Sequence, residues 1–558
     1  MASPSAPERS RGARLAPLAA ALIGLCAGLH YARLGYMPLD QSIAFDGGWR
    51  VLCGQVPLRD YLAPNGFPMH AFQALCFALL GVNWLALCVH AALVNAAACA
   101  LTHVLLTRAG LRPLSALLFS AATALVFSPP FGTPYMETHA FLFCLAALAA
   151  AWSASTGRTE FERRLASAAL GPLLALAYLD KQIPSVFFLP LCLAFSAFAP
   201  SGRWRTLARM GLSLALTALA LLAGAWLLGI EWETADVFLR QLPAEEGARR
   251  IDYVPDLASL LRRFEETRAQ LGLWSIALIH LVGVPALVAA LAFARRWWGR
   301  PEWPWALPLG AAALAQLTLL VCLGFIALTS NDKELGVPLV FLALGLVAAA
   351  LQSAGRALGP RGEPLGRVAV LALAAVAARD AWHFDRTVNA TRKVNDIALD
   401  ADSAELASAA LPDALRPLRW ATPRLVTYGA GDVRELCAYL REREGGMFLV
   451  GDASVLYGLA GKPSVFPSLW FHPGLTFPLP GDPRFEAFEA RLLERLERFD
   501  VRTVVIEPRV WIGYRAPPGE TPKARYVTLE TFPRVARLVS ERLASERSFG
   551  PIRVLELR

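Results

Sequence analysis

Long apolar runs and short charged turns alternate from residue 15 to residue 382, and beyond that point the alternation stops. The apolar runs lie near 15–34, 84–107, 111–128, 134–155, 165–180, 182–200, 206–230, 272–294, 304–328, 335–353 and 365–382. A helix crossing the hydrocarbon takes about 20 mostly apolar residues, so these runs predict about eleven transmembrane helices. A further run at 67–80 is only about 14 residues long, a length that suits an interfacial or re-entrant segment better than a full span.

After residue 383 the periodicities are those of a folded domain outside the bilayer. Gly446–Asp452 reads as a buried strand closing in a turn, Ala453–Ala460 as a short helix, Phe485–Phe499 as an amphipathic helix and Val501–Glu507 as another strand. The expected architecture is a polytopic all-α membrane domain over 1–382, with its first external loop at 35–67, and a C-terminal α/β extracytoplasmic domain over 383–558.

Charge sets the orientation. If 67–107 crosses once, one set of turns carries Arg9, Arg11, Arg14, Arg108, Arg112, Arg158, Arg163, Arg164, Arg203, Arg205, Arg209, Arg295, Arg296, Arg300, Arg356, Arg361 and Arg367. The short opposite loops carry only Arg50, Arg59, Lys181 and Lys333. That bias predicts a cytoplasmic N-terminus and places the tail outside. Counting 67–80 as a span would invert every later loop.

Composition agrees: 55% apolar and 18% charged is too greasy for a soluble chain of 558 residues. The net charge of +9 does not call for a nucleic-acid partner, because the arginines sit where topology already explains them. The N-terminus has a basic start and an apolar core, but that core is long and lacks a small-residue cleavage site, so an uncleaved first span is expected. Seven of the nine cysteines fall in apolar segments, where they read as packing residues. Cys53 and Cys437 map to the oxidising side, where a bridge between them is open, and no pair has metal or redox spacing.

The charges that remain are one-sided. Asp40, Asp46, Asp60, Glu137, Asp180, Lys181, Glu231, Asp332, Lys333 and Glu334 all fall near external helix ends. A proton-coupled transporter would place such groups at mid-membrane depth, so chemistry at the external surface is favoured. If 41–53 is a helix along that surface, Asp40 sits at its N-cap and shares a face with Ile43, Ala44 and Gly47. Asp46 lies four residues before Arg50, the spacing of a local ion pair, and reads first as a helix-surface charge. His139 lies two residues from Glu137, so the two point apart on a helix, and His30, His70, His90, His103 and His280 are scattered packing histidines. No tightly held zinc is expected, while a loosely bound divalent ion stays open. Trp470, Phe471, His472 and Pro473 form an aromatic cluster that reads as core packing, with sugar stacking or contact with the membrane surface as alternatives.

The loop from Asp40 through Gly54, then Pro57-Leu58-Arg59-Asp60-Tyr61 and Asn65-Gly66-Phe67-Pro68 before an apolar stretch and Gly81, resembles bacterial members of the GT-C superfamily. These are polyprenyl-phosphate-sugar-dependent glycosyltransferases, including protein O-mannosyltransferases and aminoarabinose transferases. Pro134-Tyr135-Met136-Glu137 looks like the family's second acidic position, and Leu179-Asp180-Lys181-Gln182 looks like its Lys-Gly turn. Leu58 stands for the usual aromatic, Gln182 for the usual Gly, and Asn65–Pro68 is a loose version of its motif.

The resemblance implies an integral protein of a bacterial inner or plasma membrane and an inverting transfer of a sugar from a polyprenyl-phosphate donor to a glycan, lipid or protein acceptor at the external face. Asp40 falls on the family's reactive Asp and is the candidate general base, with Glu137 assisting by binding a metal or the acceptor. Such a reaction needs a base for the acceptor hydroxyl and cations for the departing phosphate. Lys181, Lys333 and Arg59 are the candidate phosphate groups, each with a local rival: Asp180 beside Lys181, Asp332 or Glu334 beside Lys333, and Asp60 beside Arg59. Asp46 and Asp60 are further candidates. The alternatives are a lipid-linked glycan transporter or flippase, and a non-catalytic scaffold for envelope assembly.

Overall fold

The structure, a computed structural model, describes residues 11–63, 65–128, 132–157, 159–197, 203–232, 272–297, 306–329, 338–390, 409–422, 426–471, 476–478, 480–508, 511–512, 525–526 and 528–558, with positions 258, 259, 262 and 265. Each of the eleven apolar runs holds a helix. They are α1 (Arg11–Tyr31), α4 (Trp84–Arg108), α5 (Pro113–Val126), α6 (Met136–Thr156), α7 (Glu160–Asp180), α8 (Gln182–Ala197), α9 (Arg203–Leu227), α10 (Trp274–Trp297), α11 (Ala306–Thr329), α12 (Val340–Ala357) and α13 (Gly362–Phe384). Among the described residues, five helical stretches are long and apolar enough to cross a membrane: Trp84–Arg108, Met136–Thr156, Trp204–Leu227, Trp274–Leu291 and Val340–Ala357. The chain is an integral membrane protein.

Local chemistry sets the helix ends. The Asn83 side chain accepts from the Ala86 amide and starts α4, and Thr159 accepts from the Glu162 amide and starts α7. Close packing of α1 on α4 depends on a Gly24-xxx-Gly28 stripe. A Cβ on Gly28 would meet the Ala92 backbone at 2.6 Å, the small-residue packing that apolar helices use in a lipid solvent. By contrast α9 shows leucines to its surroundings, Leu212, Leu216, Leu219 and Leu222 all being exposed, as a lipid-facing helix must.

The first loop folds as α2 (Pro38–Leu52), a turn, and α3 (Phe67–Leu80). Helix α3 has 14 residues, a length of only about 21 Å at 1.5 Å per residue. Helix α5 is equally short, so length alone does not separate a span from a re-entrant piece. Helix α2 begins earlier than expected, with Met37 as N-cap and Pro38 in its first turn. Proline loses nothing there, since the first amides of a helix have no internal partner. Asp40 is therefore not the cap but an acidic group of the first turn, where the helix dipole favours it.

The C-terminal part is an α/β unit, as the strand and helix pattern predicts. It contains α14 (Ala430–Glu442), β1 (Gly446–Val450), α15 (Val455–Ala460), α16 (Phe485–Arg498), β2 (Val501–Ile506), the short pair β3 (Trp511–Ile512) and β4 (Arg525–Tyr526), α17 (Pro533–Arg542), β5 (Leu543–Phe549) and β6 (Ile552–Leu557). The main sheet runs β1-β2-β6-β5. Strands β1 and β2 are parallel, with Val450 opposite Ile506, and β6 runs antiparallel to both β2 and β5.

This unit does not stand apart from the helices. One apolar core contains Ile43 and Phe45 of α2, Phe77 of α3, Trp84 of α4, and Cys437, Leu456, Tyr457 and Val554 of the α/β unit. Its second face has a core of its own around Phe466, Phe477 and Phe532. Phe471 belongs to that core, 4.9 Å from Phe466 between ring centres, which is the packing role expected of it; His472 and Pro473 lie outside the described residues. All nine cysteines are free, Cys437 being buried under the unit while Cys53 is exposed, so the bridge considered between them is absent.

Candidate functional site

The first loop is stitched to the α/β unit along its whole length. Gly35 donates to the Arg419 carbonyl at 3.0 Å, Tyr36 to Ala421 at 2.7 Å and Leu62 to Pro467 at 2.8 Å, and Leu469 donates back to Leu62 at 2.9 Å. Trp49 Nε1 donates to the Lys462 carbonyl at 2.8 Å. These bonds satisfy loop amides that would otherwise be buried without partners, and they fix α2 against α15.

Asp46 and Arg50 lie on the inward side of α2. Arg50 Nε donates to Asp46 at 2.8 Å, its Nη1 to the Phe466 carbonyl at 3.0 Å, and Ser464 Oγ donates to the other Asp46 oxygen. The expected ion pair exists, but as a buried pair with 0% exposure at Asp46 rather than a helix-surface charge. Burial pushes the Asp46 carboxyl above the usual carboxylate range, while Arg50 and Ser464 pull it back.

The Pro57-Leu58-Arg59-Asp60-Tyr61 string makes a tight turn. Leu58 has φ +67, the Val56 amide donates to the Asp60 carboxylate at 2.7 Å, and the Arg50 guanidinium lies 4.8 Å over the buried Tyr61 ring. Arg59 pairs with Asp60 at 2.7 Å at the surface. The Arg59 and Asp60 pairing rival is thus the one present in the structure.

Asp40 is buried in the first turn of α2. Its negative charge reaches Asp452, in the turn that follows β1. Glu507, just past β2, accepts from the Asp452 amide at 2.7 Å, the Ala453 amide at 3.1 Å and the Tyr428 hydroxyl at 2.9 Å. Burial pushes the Asp452 carboxyl well up, with Glu507 and then Asp40 adding to the shift, and burial also raises Glu507. Carboxyls so placed share protons rather than ionise independently. Tyr36 stacks on Trp420 at 4.9 Å and walls this cluster.

A second polar centre joins α3, α4, α6 and α7. Lys181 Nζ lies 3.1 Å from Glu137 Oε1, both side chains buried, but at an angle that makes no hydrogen bond. Asp180 accepts from the Met69 amide at 3.0 Å, and its carbonyl accepts from Gly66 at 3.0 Å, tying the start of α3 to the end of α7. Behind it, His90 Nδ1 is 2.8 Å from Gln73 Oε1 and His90 Nε2 is 2.6 Å from His139 Nε2. If His90 Nδ1 donates to Gln73, His139 Nε2 must donate to His90, and His139 Nδ1 then faces Asp180 at 3.6 Å. Glu137 and His139 do point apart, one to Lys181 and one to His90. His70 fills the gap under Gly47, where a Cβ would meet its ring at 2.3 Å.

The structure therefore brings together Glu137 with Lys181, Asp46 with Arg50, and Arg59 with Asp60. Lys333, with Asp332 and Glu334, lies outside the described residues. Among the described residues no group of three or more His, Cys, Asp or Glu is placed to hold a metal ion. Sequence reasoning missed Asp452, Glu507, Tyr428 and the His90–His139 pair. The one available signal was position: Asp452 and Glu507 each follow a strand end, and the strands turn out to be parallel neighbours.

These features define a class: a polytopic membrane protein whose first loop is clamped beneath a docked α/β unit. No family model and no curated protein matches the chain. Among solved structures it is similar to the oligosaccharyltransferase of Archaeoglobus fulgidus in complex with zinc and sulfate. The identity there is 13% and the TM-score 0.46, over 88% of this chain and 67% of that one. It is also similar to ArnT from Cupriavidus metallidurans in the apo state, at 14% identity and a TM-score of 0.44, over 98% and 97% of the two chains.

Proposed function

We propose that this protein is a membrane glycosyltransferase that moves a sugar from a polyprenyl-phosphate donor to a glycan, lipid or protein acceptor at the external face, with eleven spans, a cytoplasmic N-terminus and an external α/β domain. Asp40 is the general base. It takes the proton of the acceptor hydroxyl as that oxygen bonds to the anomeric carbon, and the bond from that carbon to the phosphate oxygen breaks with its electron pair leaving on the phosphate. The sugar inverts. Lys181, held beside Glu137 without a hydrogen bond, turns to the phosphate, with Lys333 and Arg59 as further cations and Glu137 as the group that restores Lys181 afterwards.

The observation that carries this reading is the position of Asp40, buried in the first turn of a helix wedged between the apolar helices and the α/β unit. A carboxylate there meets a lipid-borne donor from one side and an external acceptor from the other. The test is release of polyprenyl phosphate by purified protein given polyprenyl-phosphate sugars. Asp40→Asn is expected to lower it by about a hundredfold or more with membrane abundance unchanged; full retention removes Asp40 from the reaction.

A non-catalytic scaffold is the second reading. It is favoured by the pairing of Lys181 and Arg59 with carboxylates of their own, and absence of turnover with every donor tried would select it.

A further inference from the structure

Between α2, the carboxyl end of β1 and the segment Phe466–Phe471 lies a notch with about 320 Å³ of empty space, open solvent included. Ile43, Arg50, Asp452, Phe466, Ser468 and Trp470 are among its lining residues. Crevices at the carboxyl ends of parallel strands are where α/β units commonly bind ligands.

Three lining side chains carry a buried polar atom that has no hydrogen-bond partner among the described residues: Asp452 Oδ1, Ser468 Oγ and Trp470 Nε1. Ser468 is only 1% exposed. Leaving a buried donor or acceptor unmet costs about 1–3 kcal/mol each, so three in one notch point to an occupant. The bond that Ser468 accepts from Arg50 is made through its backbone carbonyl, so its hydroxyl is not used there.

The chemistry of the wall selects that occupant. An anion meets the charge of Asp40 and the Asp452 carboxyl, and Arg50 offers no compensation because its guanidinium is already committed to Asp46 and to the Phe466 and Ser468 carbonyls. A cation leaves Trp470 Nε1 unmet, because an indole N–H only donates. What remains is a neutral group able both to donate and to accept, with an apolar face for Ile43 and Phe466. A hydroxyl on a sugar ring has those properties, and the notch has room for about one water-sized group, the size of one hydroxyl.

We propose that this notch is a sugar subsite, in which one hydroxyl of an uncharged acceptor ring enters the floor and bonds to Trp470 Nε1, Ser468 Oγ and Asp452 Oδ1 while the ring rests in the mouth. The proposal rests on the glycosyltransferase reading and names the acceptor class. It also accounts for the seam between loop and α/β unit: the base on α2 and the ring held by the strand ends are brought to one interface.

The test measures binding without a donor, so it does not depend on turnover, and failure of the transferase reading is seen separately in polyprenyl phosphate release. Full-length protein in nanodiscs is mixed in turn with methyl glucoside, methyl galactoside and methyl arabinoside, with inorganic phosphate as the charged control, and saturation transfer to ligand protons is recorded for the glycosides and line broadening for phosphate. At least one glycoside is expected to receive saturation, and Trp470→Phe and Ser468→Ala are each expected to weaken that signal fivefold or more. Trp382→Phe, at an exposed position on α13, is expected to leave it unchanged. Should Trp470→Phe fail to fold, Ser468→Ala carries the comparison. No saturation of any glycoside by wild-type protein, an equal signal from both notch variants, or broadening of phosphate alone each overturns the proposal.

Discussion

Asp46 and Arg50 meet at 2.8 Å on one turn of α2, with 0% and 1% of their side chains exposed. Four residues of spacing made the pair legible, but its burial under the α/β unit changes its energetics. An exposed pair at this spacing contributes a few tenths of a kcal/mol, whereas removing one member of a buried pair leaves an uncompensated charge. Arg50→Ala is therefore expected to cost about 3–5 kcal/mol, read as a fall in melting temperature in detergent. Replacing both residues by apolar ones of similar size should restore most of it; an additive double variant would show that the two do not act as a pair.

Glu137 and Lys181 present the same problem where α6 begins and α7 ends. Glu137→Gln and Lys181→Met are expected to couple by about 0.5–3 kcal/mol in a double-mutant cycle on stability. Zero coupling would mean that the 3.1 Å approach carries no energy.

Gly47 has no room for a side chain, because its Cβ would lie 2.3 Å from His70 Cδ2. Gly47→Ala should destabilise the protein by about 1–3 kcal/mol, and His70→Ala in the same chain should recover most of that loss. Thermal unfolding of the three variants checks it.

Stability should also depend on pH through Asp452. Its carboxyl is raised above the usual range by burial, Glu507 and Asp40, so the folded state favours the protonated form. That contribution is fully present below the pKa of about 4 expected in the unfolded chain and is lost as pH rises through the higher folded value. The melting temperature of the wild type relative to Asp452→Asn is expected to fall from pH 5 to pH 8. A constant difference across that range would contradict the burial of an acidic group there.

Cys53 is exposed in the first loop, and burial of its surroundings raises its thiol to about 11. On intact cells at pH 8.5 a membrane-impermeant maleimide should label it slowly from outside. Labelling only after permeabilisation would invert the proposed orientation.

The sequence by itself determined the helical runs, because apolar length is a property of one segment and needs no partner. It also determined the β1, α16 and β2 segments, whose alternation or amphipathic period is local, and the Asp46–Arg50 pair, since one helical turn fixes that spacing. It misjudged where α2 begins, because Pro38 in the first turn extends the helix past Asp40.

Only the tertiary structure decided what α2 packs against. Asp40 and Asp452 are 412 positions apart in the chain, and nothing local to either one encodes the other. The same holds for the meeting of His90 with His139 and for the notch at Trp470, which exist because the folded chain brings strand ends, loop helix and helix termini to one place. Long-range juxtaposition is set by the total burial of many apolar faces at once, and a single sequence shows each of those faces without showing its partner.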